Sequence, residues 1–162
     1  MKVVTDASLL NYLVLIDAEH VLPTLFGEVI VPREVIDELN HLRTPAKVRE
    51  WVSARPTWLR VKSTSSALPV GNLGLGESAA IAIALAESAD ALLIDERDGT
   101  TAARRLGIKT VGTLAVLAMA AEKGLLNLEA AFAALKDTSF RATPSLLDAL
   151  LAVDRQRGKP QP

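Results

Sequence analysis

Four acids in this chain are placed where they could do chemistry together: Asp6, Glu38, Glu77 and Asp95. Asp6 ends the run Lys2-Val3-Val4-Thr5, and Asp95 ends Ala91-Leu92-Leu93-Ile94. Both runs read as short β-strands, and in an open parallel sheet ligands bind outside the carboxyl ends of strands. Either acid alone reads equally well as a helix cap or turn former; their joint placement points to a site. Glu38 enters by helical phase. On a helix beginning near Pro32, Val35, Ile36, Leu39 and Leu42 form the apolar stripe, and Glu38 lies about 60° from Val35, at its edge. Phase alone reads it more readily as a solvated glutamate. Glu77 shares a face with Ile81, Ala84 and Leu85, in a first turn where the helix dipole favours an anion.

Four carboxylates converging without a counter-ion repel and raise one another's pKa values. A divalent cation removes that conflict. Oxygen ligands suit Mg²⁺ or Mn²⁺. The chain has no cysteine and two histidines, His20 and His41, both outside the acid set. Thiolate zinc sites, disulfides and a cysteine nucleophile are thereby excluded. A hard-metal site of this kind activates water and steadies the leaving oxygen of a phosphodiester.

Strands alternating with helices must position these acids. Strands are expected at residues 2–5, 29–31, 58–61, 91–94 and 109–111. Helices are expected at 9–16 (capped by Ser8), 18–26, from Pro32 to about Leu42, and at 46–54. Further ones are expected at 77–87, 100–106, 113–123, 128–135 and 144–156. This order argues for an α/β layer fold with a mainly parallel sheet. The stretch from Ser63 to Asn72 is loop-like but too short to divide domains, so residues 1–157 read as one domain and 158–162 as a disordered tail. Gly74-Leu75-Gly76 reads as a tight turn into a helix, since it lacks the spacing of a nucleotide-binding loop. The apolar helix from Thr113 to Ala121 reads as core, or less readily as a dimer surface.

The 162 residues carry a formal net charge of -1 and are 49% hydrophobic. A purely electrostatic nucleic-acid binder would be more basic, so any nucleic-acid contact must come from local patches, or from metal ions that offset the acids. Arg97, Arg104, Arg105 and Lys109 form one candidate group, and Arg43, Lys47 and Arg49 another. No apolar run reaches the roughly 18 residues of a membrane helix, and Asp6 interrupts any leader-like stretch. The expectation is a cytoplasmic protein without membrane association.

The residues resemble PIN-domain proteins, particularly the branch related to VapC toxins. The resemblance is carried by Val4-Thr5-Asp6-Ala7-Ser8, Val29-Ile30-Val31-Pro32-Arg33-Glu34-Val35 through Glu38-Leu39, and Gly74-Leu75-Gly76-Glu77-Ser78-Ala79-Ala80-Ile81-Ala82. Leu92-Leu93-Ile94-Asp95-Glu96-Arg97 and Gly107-Ile108-Lys109-Thr110-Val111-Gly112-Thr113 complete it. It implies a three-layer fold with a central, mainly parallel sheet of about five strands flanked by helices. It also implies an endoribonuclease using Mg²⁺ or Mn²⁺, in which Asp6, Glu38, Glu77 and Asp95 are the catalytic and metal-holding acids. Family members often have Asp where Glu77 stands. The fourth position is crowded by Glu96 and Asp98, and Asp98 is the second candidate there. An RNA substrate, a small antitoxin partner and a homodimer follow from the same resemblance.

Two other readings compete. A phosphatase using Asp6 as nucleophile would want a second Asp two residues later, where Ser8 stands. A catalytically inactive PIN-like module, binding RNA or protein, would look the same in sequence.

Overall fold

The structure, a computed structural model, describes residues 1–64 and 71–158. The chain starts with β1 (Lys2–Thr5), α1 (Ala7–Leu15), α2 (Val21–Phe26) and β2 (Glu28–Pro32). Next come α3 (Arg33–Leu39), α4 (Ala46–Ser53), β3 (Leu59–Lys62), α5 (Leu75–Ala86) and β4 (Ala91–Leu93). It ends with α6 (Arg97–Arg105), β5 (Thr110–Val111), α7 (Thr113–Glu122), α8 (Leu128–Lys136) and α9 (Pro144–Arg157).

The strands form one five-stranded sheet in the order β3-β2-β1-β4-β5, every pair parallel. Successive side chains of a strand point to opposite faces, and the short apolar strands feed both. Val3, Val29, Val31, Ala91 and Leu93 join a core with α1, α2, α3, α4, α7, α8 and α9. Val4, Ile30, Leu92 and Ile94 pack against Ala80, Ile81 and Ala84 of α5 and Ala103 of α6. The result is the expected three-layer α/β arrangement.

The connection from β1 runs outward to β2 on one side, and β4 then pairs with β1 on the other. The order therefore reverses beside β1, which opens a crevice at the carboxyl ends of β1 and β4.

Several boundaries differ from expectation. Asp6, not Ser8, caps α1: its Oδ1 accepts from Leu9 N at 2.9 Å. Pro32 ends β2 rather than opening the first helical turn. Helix α3 stops at Leu39, so Leu42 drops off the apolar stripe and is 83% exposed. Helix α2 starts later than expected, at Val21. Helix α6 starts three residues earlier than expected, because Glu96 accepts from Asp98 N and Gly99 N. Leu85, expected to share the buried face with Glu77, is exposed. Of the expected tail, Gly158 caps α9. Residues 159–162, and positions 65–70 of the expected loop, lie outside the described residues. The apolar face of α7 is core, with Val116, Leu117 and Ala120 fully buried. Among the described residues no helix is long and apolar enough to cross a membrane.

Candidate metal centre

The crevice at the end of β1 holds the first acid. Asp6 N donates to Leu93 O at 3.0 Å, extending the β1–β4 ladder one step past the strand. The register places Thr5 beside Leu93, so Asp6 and Asp95 leave neighbouring strands about 4.8 Å apart, one residue out of step. Asp6 is buried, at 2% exposure.

Asp95 is fixed from the next strand over. Thr113 N donates to Asp95 Oδ1 at 2.8 Å, and the Thr113 hydroxyl makes a short hydrogen bond to Oδ2. Thr113 is fully buried at the start of α7. Beside it, a Cβ on Gly112 would lie 2.8 Å from Asp95 Oδ1. Glycine is therefore what lets the carboxylate lie against the backbone.

Glu38 and Glu77 come from facing helices. Gly76 is buried where α5 meets α3, and a Cβ there would lie 3.0 Å from Glu38 Oε2 and 3.3 Å from Val35 Cγ2. The missing side chain leaves room for the Glu38 carboxylate beside the first turn of α5. Glu77 Oε2 accepts from Gly74 N at 3.3 Å. The helix-start role open from sequence is thus real, and does not remove Glu77 from the acid group.

The charges of the other three acids all reach Asp6. Burial pushes the Asp6 carboxyl up to about 8; the Leu9 N–H opposes this, and the charges of Asp95, Glu77 and Glu38 add to it. Partial burial raises Glu38, although the residue as a whole is exposed. Glu77 is raised by burial first, with Glu96, Glu38 and Asp98 repelling it, against the Gly74 N–H. Asp98 thus acts on Glu77, and Asp95 on Asp6. Glu96 is occupied as the cap of α6.

Whether these residues suit a divalent ion can be tested on the same geometry. None of the acids forms an ion pair with Lys, Arg or His among the described residues. The donors are all hard oxygens around a buried carboxylate whose ionisation is opposed. In charge and donor type the site suits Mg²⁺ or Mn²⁺. The side chains do not close into a cage, however: among the described residues no three acids or histidines are placed to hold one ion. An ion here would be gripped by few side chains and keep several waters, as Mg²⁺ does.

Elsewhere, Glu87 at the far end of α5 pairs with Lys2 at 3.0 Å and with Lys62, away from the site. His41 Nδ1 accepts from Arg43 N, and His20 makes no side-chain cap bond at α2. Of the two cation groups, most members are engaged or distant. Arg104 Nε donates to Thr110, Lys47 pairs with Asp17, and Arg49 Nε donates to Thr44 O. Lys109 precedes β5, at the opposite end of the sheet. Arg97 is exposed at the site end of α6.

Thr113 and Gly76 are the positioning residues that sequence reading missed. The signal available was a glycine or hydroxyl residue at a helix start following a strand, as in Gly112-Thr113.

The fold has a solved counterpart. A PilT N-terminus domain protein from the archaeon Sulfolobus solfataricus P2 superposes with a TM-score of 0.50 at 16% identity, covering 88% of this chain and 100% of its own. No curated protein matches the chain. A family model, DUF3368, described as a PIN domain, matches residues 2–155. With strand-end acids at the switch point of a parallel sheet and a family match over nearly its whole length, the chain belongs to the PIN-domain family.

Proposed function

We propose that the protein is a metal-dependent endoribonuclease that hydrolyses RNA phosphodiester bonds. The observation carrying this reading is the buried Asp6. Its carboxyl is pushed to about 8 with Asp95, Glu77 and Glu38 adding repulsion, and no cation among the described residues pairs with it. Such a charge imbalance suits a site completed by Mg²⁺ or Mn²⁺.

In this reading Asp6 is the central ligand, held in place by its helix-cap bond to Leu9. Glu38 and Glu77 hold the ion from α3 and α5, directly or through water. Asp95, immobilised by Thr113, faces Asp6, and Asp98 is the second candidate for the fourth ligand. When bound, the ion supplies a lowered pKa for water and charge stabilisation at the phosphate oxygens. Without the ion Glu38 and Glu77 keep a proton to higher pH than an ordinary glutamate, so loading the site would release protons from them.

The finer assignment, toxin of a toxin–antitoxin pair in the VapC branch, rests on the segments from Val4 to Thr113 that resemble those toxins. With it go a small antitoxin protein as partner, a homodimer and a cytoplasmic location.

One observation favours a second reading, the non-catalytic RNA- or protein-binding module. Both oxygens of Asp95 already have donors on Thr113. Incubating purified protein with mixed-sequence single-stranded RNA, in Mg²⁺, Mn²⁺ or EDTA and beside Asp6→Asn, separates the two. Metal-dependent cleavage that vanishes in Asp6→Asn is the expected result. Absence of cleavage under every metal, from folded protein free of any partner, would leave the binding module as the function.

A further inference from the structure

Two clefts flank the acids, and they differ in charge: three acids line one, while the other pairs one acid with one arginine. One, about 400 Å³, is lined by Glu34, Asp37, Glu38, Leu75 and Gly76. Glu34 Oε2 is buried without a hydrogen-bond partner among the described residues, and this wall carries three acids and no basic residue. The other, about 390 Å³, lies along α6 and is lined by Asn72, Leu73, Asp98, Thr101, Ala102 and Arg105, with Gly71 at its edge. Both volumes fall in the roughly 300–1,000 Å³ range of small-ligand sites.

The α6 side of the second cleft is one helical stripe. Asp98, Thr101, Ala102 and Arg105 recur at i, i+3, i+4 and i+7 and so line one face. The stripe begins at the acid site, since Asp98 is among the charges that repel Glu77. The facing wall begins there too: Leu73 adjoins Gly74, whose N–H donates to Glu77. From there the groove runs about 10.5 Å of helix rise to Arg105. Arg105 is exposed and makes no ion pair or hydrogen bond among the described residues.

We propose that this groove holds the nucleotide next to the scissile phosphate, with Arg105 contacting the adjoining backbone phosphate. The inference rests on the ribonuclease reading and adds to it the direction in which the RNA strand leaves the site. Arg105 has the planar, multi-donor geometry that matches a phosphate. Asn72 and Thr101 offer an amide and a hydroxyl to sugar or base edges. Leu73 and Ala102 supply apolar surface between them. The cleft on the α3 side would set a phosphate against Glu34, Asp37 and Glu38, so the strand avoids it.

The test is binding of a short fluorescein-labelled single-stranded RNA, by anisotropy over a salt series in EDTA, so that no turnover intrudes. Arg105→Ala is expected to weaken binding about tenfold and to lower the salt slope by about 0.7, the value of one single-strand phosphate contact. Arg105→Lys should recover the slope. Lys123→Ala, which removes an exposed charge at the end of α7, should leave both unchanged. Arg105→Ala binding with unaltered affinity and slope would overturn the groove, as would wild-type protein that binds no RNA. Metal-dependent cleavage of the same RNA by wild type is scored separately. Cleavage beside unaltered Arg105→Ala binding removes the groove and leaves the nuclease; Arg105-dependent binding without cleavage under any metal keeps the groove and removes the nuclease.

Discussion

Thr113 donates to both carboxylate oxygens of Asp95, through its backbone N–H to Oδ1 at 2.8 Å and through its hydroxyl to Oδ2. One residue thus ties the end of β4 to the start of α7 and fixes the angle at which the acid meets Asp6. Hydrogen bonds to a charged acceptor are stronger than neutral ones, and this pair is shielded because Thr113 is fully buried.

Thr113→Val keeps the shape and removes the hydroxyl donor. Leaving a partly buried carboxylate oxygen without its partner is expected to cost about 1–3 kcal/mol, seen as a lower urea midpoint with an unchanged slope. Thr113→Ser retains the donor and should lose under about 1 kcal/mol. A valine variant as stable as wild type would show that the hydroxyl bond contributes nothing net.

Gly76 separates folding from metal binding. In Gly76→Ala the new Cβ approaches Val35 Cγ2 to 3.3 Å and Glu38 Oε2 to 3.0 Å. Alanine gains about 1 kcal/mol of helix propensity, which offsets the crowding against Val35, so stability should stay within about 1 kcal/mol. The Glu38 carboxylate is the flexible partner and must move. Displacing a ligand in this way typically costs about tenfold or more in metal affinity. Mn²⁺ titration by calorimetry checks it, and unaltered affinity would mean that Glu38 does not hold the ion.

Glu87 is the matching control. It lies at the opposite end of α5 from Glu77 and pairs with Lys2 and Lys62, with 13% of its side chain exposed. Glu87→Gln is expected to cost about 1–2 kcal/mol of stability while metal affinity stays unchanged. A large loss of metal binding in that variant would place the metal away from the β1–β4 crevice.

Legibility in the sequence followed locality. The strand-end acids could be read because each follows a short apolar run, and both facts lie within one segment. Glu38 could be placed by phase, but phase does not say where a helix stops, and Leu42 fell outside α3 for that reason. Asp6 and Ser8 are both good caps two residues apart. What decides between them is the bond from Asp6 N to Leu93 O, a partner 87 positions away. The helix expected from Thr100 starts at Arg97. Gly99 sits inside α6, where a Cβ would come within 2.6 Å of Ile94 Cδ1. The Asp95–Thr113 pair and the Gly76–Glu38 approach required knowing which strands and helices are neighbours, which no local pattern states.

The pH dependence of stability follows from the raised acids. Burial pushes the Asp6 carboxyl up to about 8 from its ordinary 3.8, and Glu38 and Glu77 shift in the same direction. A group whose pKa rises on folding binds more protons in the native state, so stability falls as pH rises between the two values. Metal-free wild type should therefore be most stable at or below about pH 4, as far as these groups decide it, and lose on the order of a few kcal/mol by pH 8. Asp6→Asn removes the buried charge and keeps a side chain that caps α1 nearly as well. It should melt higher than wild type at pH 8 in EDTA and differ little at pH 4. Adding Mn²⁺ should reverse the order at pH 8 by stabilising only the wild type. Thermal melts of both proteins at the two pH values, with and without Mn²⁺, check each step. An Asp6→Asn protein that melts lower than wild type at pH 8 in EDTA would mean that the Asp6 charge is compensated within the protein, and the case for a metal there would lose its main support.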